Sequence, residues 1–404
     1  MKIAIDVVPI RTDGQVGGAM HVTIELIKKL AQMNDNDNAV KIVLLTAAWN
    51  DQAFADIFSR TTVDRVIVAP ADNLAAAGGI RDKMRRLIQR LRRRPVRKGL
   101  LRRLGVDLLF CPMSAVTFYE DGIPAVSTIH DIQHEYYPQF FDPQELSHRR
   151  AFYQEICAKA SAVICVSKYT KATFKEKYGF PSERMYVAYN GVQERLRLPS
   201  PEQQQAILAA KGVGGDPYLF YPANFWRHKN HLMLLTAFSA FCRKHPEIEI
   251  NLVFTGALQE ENAIIKDAVE QMGLTDKTRF LGYLADEEIA VIMHHCAGLI
   301  FPSLFEGFGI PLVEAMNFGK PVLCANTTSL PEVAGDAALY FDPRIPQQME
   351  DAIFSLLTDS LTREKLSAKG RERASLFSLD NMAGQYMQAF QQVLKQTAPA
   401  ASCG

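Results

Sequence analysis

The stretch "SLFEGFGIPLVEAM", residues 303–316, carries two carboxylates, Glu306 and Glu314, with seven residues between them that include two glycines and a proline. The apolar run "AGLIFPS" at 297–303 predicts a strand before it, and Pro311 suits the first turn of a following helix because its missing N–H would have no partner there. A strand, a glycine turn and a helix in this order form the repeating unit of an α/β fold with a parallel sheet.

The same alternation of apolar strands and helical segments runs through both halves of the chain. In the first half the strand candidates are 2–8, 41–46, 65–70, 107–112, 123–129, 162–167 and 185–189. In the second half they are "YLFYPAN", "EINLVFTG", "RFLGYL", "AGLIFPS", "PVLCAN" and "ALYFDP". This alternation predicts parallel sheets that are covered by helices on both faces.

A length of 404 residues favours two domains. The chain at 196–217 is rich in proline, glycine and polar residues, which indicates a boundary there. We therefore predict an α/β protein with two Rossmann-like, doubly wound domains, residues 1–195 and 196–380. A terminal helix and a loose tail are expected at 381–404.

The composition excludes several classes of protein. A hydrophobic content of 48% and a charged content of 22% are ordinary globular values, and no apolar run is long enough to cross a membrane. The opening "MKIAIDVVPI" has Asp6 inside its apolar run, so it is predicted to be a first strand rather than a signal peptide. The seven cysteines include no CxxC pair, which favours reduced, buried thiols in the cytosol and no structural metal.

In doubly wound domains, ligands bind at the carboxyl ends of the strands, so the loops there are the candidate binding residues. The amides of Gly309, Ile310 and Leu312 begin a helix, where the helix dipole favours an anion. Glu306 and Glu314 would accept hydrogen bonds from hydroxyls beside that anion. Together these groups suit a nucleotide sugar, and the alternative is a glycine turn with two solvated acids.

Three other loops follow predicted strands. Arg227 and Lys229 in "ANFWRHKNH" could neutralise a diphosphate, or they could simply begin a basic helix. His130 ends an apolar strand and is expected to make one hydrogen bond to a ligand. His134 lies four residues further on, but a third zinc ligand is missing. The loop with Gly17 and Gly18 lacks dinucleotide-binding spacing and still permits close backbone approach.

With these loops in view, the chain resembles the retaining glycosyltransferases of family four, which have the GT-B fold. The resemblance covers essentially the whole chain. It is carried by the glycine pair, by His130–Asp131, and by "VSKYTK", "YNGV", "HKN", "FPSLFEGFGIPLVEAM" and "GKPVLCAN". The spacing of the two glutamates is its most specific motif. It implies two domains facing each other across a cleft, with a C-terminal helix that crosses back to the first domain.

The resemblance also implies residue roles. Glu314 would hold the ribose hydroxyls of the donor, and Glu306 the hydroxyls of the transferred sugar. Lys229 would bind the diphosphate, His130 would bond to the sugar near its reacting carbon, and Tyr283 would lie beside the base. The backbone that contacts sugar and phosphate would be Phe308, Gly309, Ile310, Pro311 and Leu312.

Many family members have Gly-Arg shortly before the lysine, where this chain has "PANFW", and Arg227 is expected to replace that arginine. The family transfers a sugar with retention and without a bound metal or other cofactor. The resemblance therefore implies a hexosyltransferase, with GDP-mannose as the first candidate donor and a UDP-hexose as the second. The expected acceptor is a glycan or a lipid-linked saccharide in lipopolysaccharide or O-antigen synthesis.

The charge distribution is uneven. Residues 81–103 hold twelve Lys or Arg and one Asp, a charge of +11, so the remainder of this +1 chain carries −10. Apolar residues from Ile80 to Leu104 recur at helical spacing, so the segment is predicted to be a basic amphipathic helix at the inner leaflet of the cytoplasmic membrane. The alternative is a stripe that packs on the first domain. The residues predicted to contact the membrane are Arg86, Arg90, Arg93 and Arg97.

Two other functions remain open at this point. A nucleic-acid-binding protein could use the same arginines, although no recognisable binding motif or aromatic stacking platform accompanies them. An epimerase of GT-B fold would share the nucleotide-sugar pocket, and assaying sugar transfer against epimerised free nucleotide sugar separates it from a transferase.

Overall fold

The computed structural model describes residues 1–10, 18–35, 38–69, 99–191, 196–256 and 261–397. It contains two large parallel sheets, as the sequence predicts. The first sheet has seven strands and the second has six. We call the part built on the first sheet the first domain and the part built on the other the second domain.

The strands of the first sheet are β1 (Lys2–Asp6), β4 (Lys41–Ala47), β5 (Asp64–Ala69), β6 (Leu108–Cys111), β7 (Ala125–Ile129), β8 (Ala162–Cys165) and β9 (Met185–Val187). Two short strands that the sequence did not predict, β2 (Asn34–Asp35) and β3 (Asn38–Ala39), form a separate antiparallel pair. Those of the second sheet are β10 (Tyr218–Pro222), β11 (Asn251–Thr255), β12 (Thr278–Phe280), β13 (Gly298–Phe301), β14 (Val322–Ala325) and β15 (Ala338–Phe341).

The α-helices alternate with these strands. In the first half of the chain they are α1 (Gly18–Gln32), α2 (Asp51–Ile57), α3 (Leu100–Leu104), α4 (Gln133–Tyr136), α5 (Pro143–Lys159) and α6 (Lys168–Tyr178). In the second half they are α7 (Pro201–Lys211), α8 (His231–Lys244), α9 (Glu261–Gln271), α10 (Asp286–His295), α11 (Ile310–Asn317), α12 (Leu330–Ala334), α13 (Pro346–Thr358), α14 (Ser360–Ser375) and α15 (Leu379–Thr397).

The strand order is β5-β4-β1-β6-β7-β8-β9 in the seven-stranded sheet and β12-β11-β10-β13-β14-β15 in the six-stranded sheet, and it reverses at one point in each. In the first sheet β1 lies between β4 and β6, and in the second β10 lies between β11 and β13. The loops that leave neighbouring strands at such a point diverge and leave a crevice at the carboxyl edge of the sheet. The loop after β10 carries Lys229 and the loop after β13 carries Glu306, so adjacent strands bring these two loops together.

The final helix, α15, belongs to the first domain although it follows the second in sequence. Its apolar face is buried with the core residues of β1, β4 and β6. The Phe110 ring lies 5.5 Å from that of Tyr386 and 5.1 Å from that of Phe390. The Tyr386 hydroxyl is 3.2 Å from the Thr128 hydroxyl. The predicted return of the C-terminal helix to the first domain is thus confirmed.

The six cysteines within the described ranges are all free, and two of them, Cys157 and Cys242, are only partly buried. Four of them (Cys111, Cys165, Cys296 and Cys324) are buried in the cores. Burial raises the pKa of each of these four thiols, which keeps them protonated and unreactive.

The basic segment 81–103 lies mostly outside the described residues, and so do Arg86, Arg90, Arg93 and Arg97. Its end is described as α3, where Leu100 and Leu101 are buried in the first domain. This part of the apolar stripe is therefore core packing and not a membrane-facing surface. No helix in the described part of the chain is long and apolar enough to span a bilayer.

The two domains touch directly beside the crevice. A Cβ built on Gly307 of the second domain would lie 1.7 Å from the carbonyl oxygen of His130 in the first. The Thr170 hydroxyl donates to the Gly307 carbonyl at 3.1 Å. Phe305 packs among Tyr136, Tyr137 and Tyr169 of the first domain, with ring centroids 5.4, 6.2 and 5.9 Å away.

A glutamate adds a polar contact between the domains. The carboxylate of Glu332 in the second domain accepts hydrogen bonds from the amides of Lys168 at 2.7 Å and Tyr169 at 2.9 Å. These amides begin α6 in the first domain, where a negative charge is favoured by the helix dipole. The hydroxyl of Tyr189 donates to the same carboxylate at 2.8 Å.

We predict that Gly307→Ala weakens the contact between the domains, because the added methyl group would overlap the His130 carbonyl. The expected loss of unfolding free energy is about 1–3 kcal/mol, together with a larger radius of gyration in small-angle scattering. Gly384→Ala is the control, since nothing lies within 4 Å of its added Cβ and α15 should gain about 0.5–1 kcal/mol. An unchanged radius and melting temperature for Gly307→Ala would contradict the prediction.

Candidate active site

A cleft of about 1180 Å³ lies between the carboxyl edges of the two sheets. Its wall in the second domain consists of the loops after β10, β11, β12 and β13 and the start of α11. Its wall in the first domain consists of the start of α1, the loops after β6 and β7, and the first half of α5. Predicted site residues that line it are Gly18, His130, Arg227, Lys229, Tyr283, Glu306, Phe308, Gly309, Ile310, Pro311 and Glu314.

The acidic loop connects β13 to α11. Gly309 has φ +94° and precedes the first residue of the helix, and a Cβ there would lie 2.7 Å from Leu330. Only glycine fits this turn without strain. Glu314 is 5% exposed, and the Glu306 side chain is 13% exposed. The two carboxylates are therefore largely buried groups of the cleft wall, and the alternative of two solvated acids is not met.

The start of α11 differs from expectation at one amide. The Leu312 N–H donates to the Gly309 carbonyl at 3.0 Å, and Leu312 is fully buried in the core. The Leu312 amide is therefore bonded within the helix, and the expected contact of the Leu312 backbone with a ligand stays a prediction. Gly309 is the residue before the helix, and the carbonyl of a residue at that position ordinarily accepts the first intrahelical hydrogen bond.

The start of α11 lies close to the glycine loop of the first domain. A Cβ built on Gly18 would lie 2.9 Å from the Ile310 side chain, so the two helix N-termini approach each other across the cleft. Gly18 is the first residue of α1. Gly17 lies outside the described residues.

The lysine loop forms a 3-10 turn at Arg227–Lys229. The Lys229 ammonium lies 2.5 Å from Glu306 Oε1, and the two side chains are equally shielded, each 13% exposed. The Lys229 nitrogen also lies 5.4 Å from the centre of the Phe301 ring. Arg227 is exposed at the rim of the cleft, so Lys229 and Arg227 place two cations on this side of it.

The lysine loop is fixed from behind. The Tyr221 hydroxyl donates to the Lys229 carbonyl at 2.7 Å. Asn230 has φ +63°, and its amide group donates to the carbonyls of Pro302 at 3.2 Å and Pro343 at 2.7 Å. The left-handed backbone of an asparagine is uncommon, and here these two hydrogen bonds hold it in place.

His130 lies at the end of β7, as the sequence predicts. Its Nε2 lies 2.7 Å from the Pro112 carbonyl, which can only accept, so Nε2 carries the proton. Burial lowers the pKa of His130, against the opposing effects of this hydrogen bond and of Asp131. At neutral pH the ring is therefore uncharged, and Nδ1 is its acceptor.

His134 has a different role. Its side chain is completely buried, its Nε2 lies 2.8 Å from the Tyr178 hydroxyl, and its ring stacks on Tyr153 at 5.0 Å. His134 does not line the cleft and is a core residue. Among the residues that the structure describes, no three His, Cys, Asp or Glu side chains are grouped as metal ligands.

Tyr283 lies after β12 at the edge of the cleft and is 61% exposed, which leaves its ring available for a flat ligand. The first-domain wall also contains residues that the sequence did not single out. Arg149 lies 2.8 Å from Glu145 and 4.7 Å from the centre of the Phe141 ring. In the sequence, Arg149 is marked by its i,i+4 spacing from Glu145 on a helix. This spacing is common on ordinary helices, so it does not identify Arg149 as a cleft residue.

Comparisons with known families agree with this architecture. The family described as "Glycosyltransferase Family 4" matches residues 16–195, and the family described as "Glycosyl transferases group 1" matches residues 203–373. The crystal structure of Anabaena Alr3699/HepE in complex with UDP-glucose has a TM-score of 0.72 with this chain. It is 20% identical in sequence, and the superposition covers 97% of this chain and 100% of that one.

Two characterised relatives are similar in sequence. O-antigen chain mannosyltransferase B of Escherichia coli is 28% identical over 266 residues, which are 66% of this chain and 70% of that protein. O-antigen chain mannosyltransferase RfbU of Salmonella typhimurium is 28% identical over 239 residues, 58% of this chain and 62% of that protein. Since the two family matches together span most of both domains and the fold agrees, the chain belongs to glycosyltransferase family 4 and has the GT-B fold.

Proposed function

We propose that the protein is a retaining, metal-independent glycosyltransferase that transfers mannose from GDP-mannose to a glycan or a lipid-linked saccharide in O-antigen or lipopolysaccharide synthesis. The observation that carries the proposal is the arrangement around α11, where Lys229, Glu306 and Glu314 line one cleft beside a helix N-terminus. The relatives named as O-antigen chain mannosyltransferases support mannose. The HepE complex with UDP-glucose makes a UDP-hexose the second candidate.

In this proposal the donor lies along the second-domain wall. Glu314 accepts hydrogen bonds from the ribose hydroxyls, and Tyr283 lies beside the base. Lys229 and the free amides at the start of α11 bind the diphosphate. Glu306 accepts hydrogen bonds from the hydroxyls of the sugar, and His130 Nδ1 accepts one more from the opposite wall.

Transfer breaks the bond between the anomeric carbon and the diphosphate oxygen. The acceptor hydroxyl attacks the same face of the sugar through an oxocarbenium-like state, and its proton passes to the departing diphosphate. Lys229 and the helix N-terminus stabilise the negative charge that develops on the leaving group. Retaining glycosidases need two carboxylates that flank the bond, whereas here Glu306 serves as a hydrogen-bond acceptor and not as a nucleophile.

Nucleotide titration followed by product analysis tests this function. The purified protein is titrated with GDP, UDP and ADP, and the sugar nucleotide of the tightest binder is then incubated with and without a saccharide acceptor. Sugar transfer to the acceptor supports the proposal. Epimerised free nucleotide sugar without transfer would instead identify an epimerase.

We predict that Glu314→Ala weakens donor binding by about 1–3 kcal/mol, since the ribose loses a hydrogen-bond acceptor in a largely buried site. Calorimetric titration with the preferred nucleotide sugar measures the change. Glu288→Ala is the control, because Glu288 pairs with Lys211 at 2.7 Å away from the cleft. Wild-type donor affinity in Glu314→Ala would remove Glu314 from the donor site.

Metal independence gives a second prediction. If Lys229 and the amides of α11 neutralise the leaving diphosphate, saturating EDTA should leave the rate of sugar transfer unchanged. The rate is measured before and after chelation, and again after magnesium or manganese is added back. Abolition by EDTA with recovery on adding a divalent cation would refute the role given to Lys229.

We also propose that residues 81–98 attract the enzyme to the inner leaflet, where a lipid-linked acceptor would lie. The segment is strongly basic and the rest of the chain is acidic, so the attraction would be electrostatic and would weaken with salt. The buried Leu100 and Leu101 contribute no apolar insertion.

Changing four arginines to glutamine should therefore reduce both sedimentation with anionic vesicles and activity on a lipid-linked acceptor, without changing donor affinity. The positions to change are Arg86, Arg90, Arg93 and Arg97. A charge-matched control changes four exposed basic residues elsewhere, namely Lys41, Arg60, Lys175 and Lys365. Equal vesicle binding by the two variants would show that net charge, and not this segment, governs the attraction.

A further inference from the structure

The Lys229–Glu306 pair joins the two groups that the proposed function assigns to different parts of the donor. The lysine is assigned to the diphosphate and the glutamate to the sugar, yet the Lys229 ammonium and the Glu306 carboxylate lie 2.5 Å apart and pair with each other. Both side chains are largely shielded from water, so their interaction is screened less than that of a surface pair.

Both partners are held by the backbone that carries them. The Glu306 amide donates to the Thr328 hydroxyl at 3.3 Å, and the Ser329 hydroxyl donates to the Glu306 carbonyl at 3.0 Å. The Lys229 carbonyl accepts from Tyr221 at 2.7 Å, and the His228 carbonyl accepts from the Leu304 amide at 2.8 Å. The last bond ties the two loops to each other, so the backbone positions from which the Lys229 and Glu306 side chains extend are fixed side by side.

An anion that binds Lys229 must therefore do so within a few ångströms of the Glu306 carboxylate. A diphosphate competes with Glu306 for the Lys229 ammonium group, and it is repelled by the Glu306 carboxylate. A sugar attached to the diphosphate offers hydroxyl donors to Glu306, and charge-assisted hydrogen bonds of this kind are strong. A free nucleoside diphosphate lacks these sugar hydroxyls, and its ribose hydroxyls are assigned to Glu314, so its binding leaves the Glu306 carboxylate without a replacement partner.

We propose that Glu306 discriminates between the donor and the nucleoside diphosphate product, and thereby promotes product release. The inference rests on the proposed function and adds a second role for the same residue. Before transfer, the sugar hydroxyls donate hydrogen bonds to Glu306 and replace its interaction with Lys229. After transfer the sugar is no longer attached to the diphosphate, so these hydrogen bonds are lost. Glu306 and the diphosphate then compete again for Lys229.

The test compares the affinities for GDP and GDP-mannose in the absence of acceptor, or for UDP and UDP-glucose if the wild type prefers uridine. Glu306→Gln keeps the shape of the side chain and removes its charge. We expect it to bind GDP roughly tenfold more tightly than the wild type and GDP-mannose no more tightly. Turnover should fall, and a pre-steady-state burst should appear because product release becomes slower.

A double-mutant cycle identifies the competition for the lysine. In a Lys229→Gln background, Glu306→Gln should raise the affinity for GDP by a smaller factor than in the wild type, since no ammonium group remains to be contested. Glu350→Gln is the matched control, because Glu350 is a buried carboxylate that pairs with Lys244 at 2.6 Å outside the cleft. It should leave the ratio of the two affinities unchanged, and melting temperatures confirm that each variant is folded.

The outcomes separate the inference from the function on which it rests. If Glu306→Gln binds GDP no more tightly than the wild type while its affinity for GDP-mannose falls, Glu306 is only a sugar ligand and the inference is wrong. If the wild-type protein binds none of GDP, UDP, ADP and their sugar derivatives, the proposed function is wrong and so is the inference that rests on it.

Discussion

The contact between the Gly307 backbone and the His130 carbonyl fixes how closely the two domains approach, and the geometry of the cleft depends on it. His130 belongs to the wall of the first domain and Gly307 to the acidic loop of the second. Because no side chain separates them, the imidazole of His130 and the carboxylate of Glu306 can face the same ligand from opposite sides. A residue with a Cβ at position 307 would separate the walls and the groups they carry.

On the second-domain side, the site depends on a cation and a carboxylate that are held together by rigid loops. The loops leave adjacent strands, β10 and β13, and Asn230 holds the first against the ends of β13 and β15. A largely buried lysine without a partner would be costly, so Glu306 stabilises Lys229 in the wall of the cleft. Because of the same ion pair, phosphate binding at Lys229 depends on whether the ligand also donates hydrogen bonds to the Glu306 carboxylate. One interaction therefore affects both the stability of the cleft wall and the selectivity for the ligand.

Much of the fold could be predicted because apolar strands and the turns that follow them are local signals. The thirteen predicted strands all exist, but several end earlier than their apolar runs. The predicted strand 2–8 ends at Asp6, whose carboxylate accepts from the Val8 amide at 3.1 Å and turns the chain. The predicted strand 162–167 ends at Cys165, because Ser167 caps the start of α6.

The site was predictable only as far as it follows strand ends. Lys229, Glu306 and His130 could be placed on one edge, but the ion pair between residues 77 positions apart depends on the strand order, which the sequence does not state. Arg149 lies within a helix, where no strand end marks it. The bond from the Leu312 amide to the Gly309 carbonyl depends on the residue at which α11 begins, and the spacing of residue types does not fix that boundary.

Residues Tyr189 and Gly191, at the end of the first domain's described chain, lie against the start of α15, where the chain returns from the second domain. A Cβ built on Gly191 would lie 2.8 Å from the Leu379 backbone at the start of α15. The Tyr189 amide donates to Gln385 of α15 at 3.0 Å. If these contacts are kept, a rotation that opens the cleft would separate Gly307 from His130 and Phe305 from its three tyrosines. Glu306 lies on the same loop as Phe305 and Gly307, which make those contacts. A ligand that binds both His130 and Glu306 would therefore favour the closed arrangement by its own binding energy.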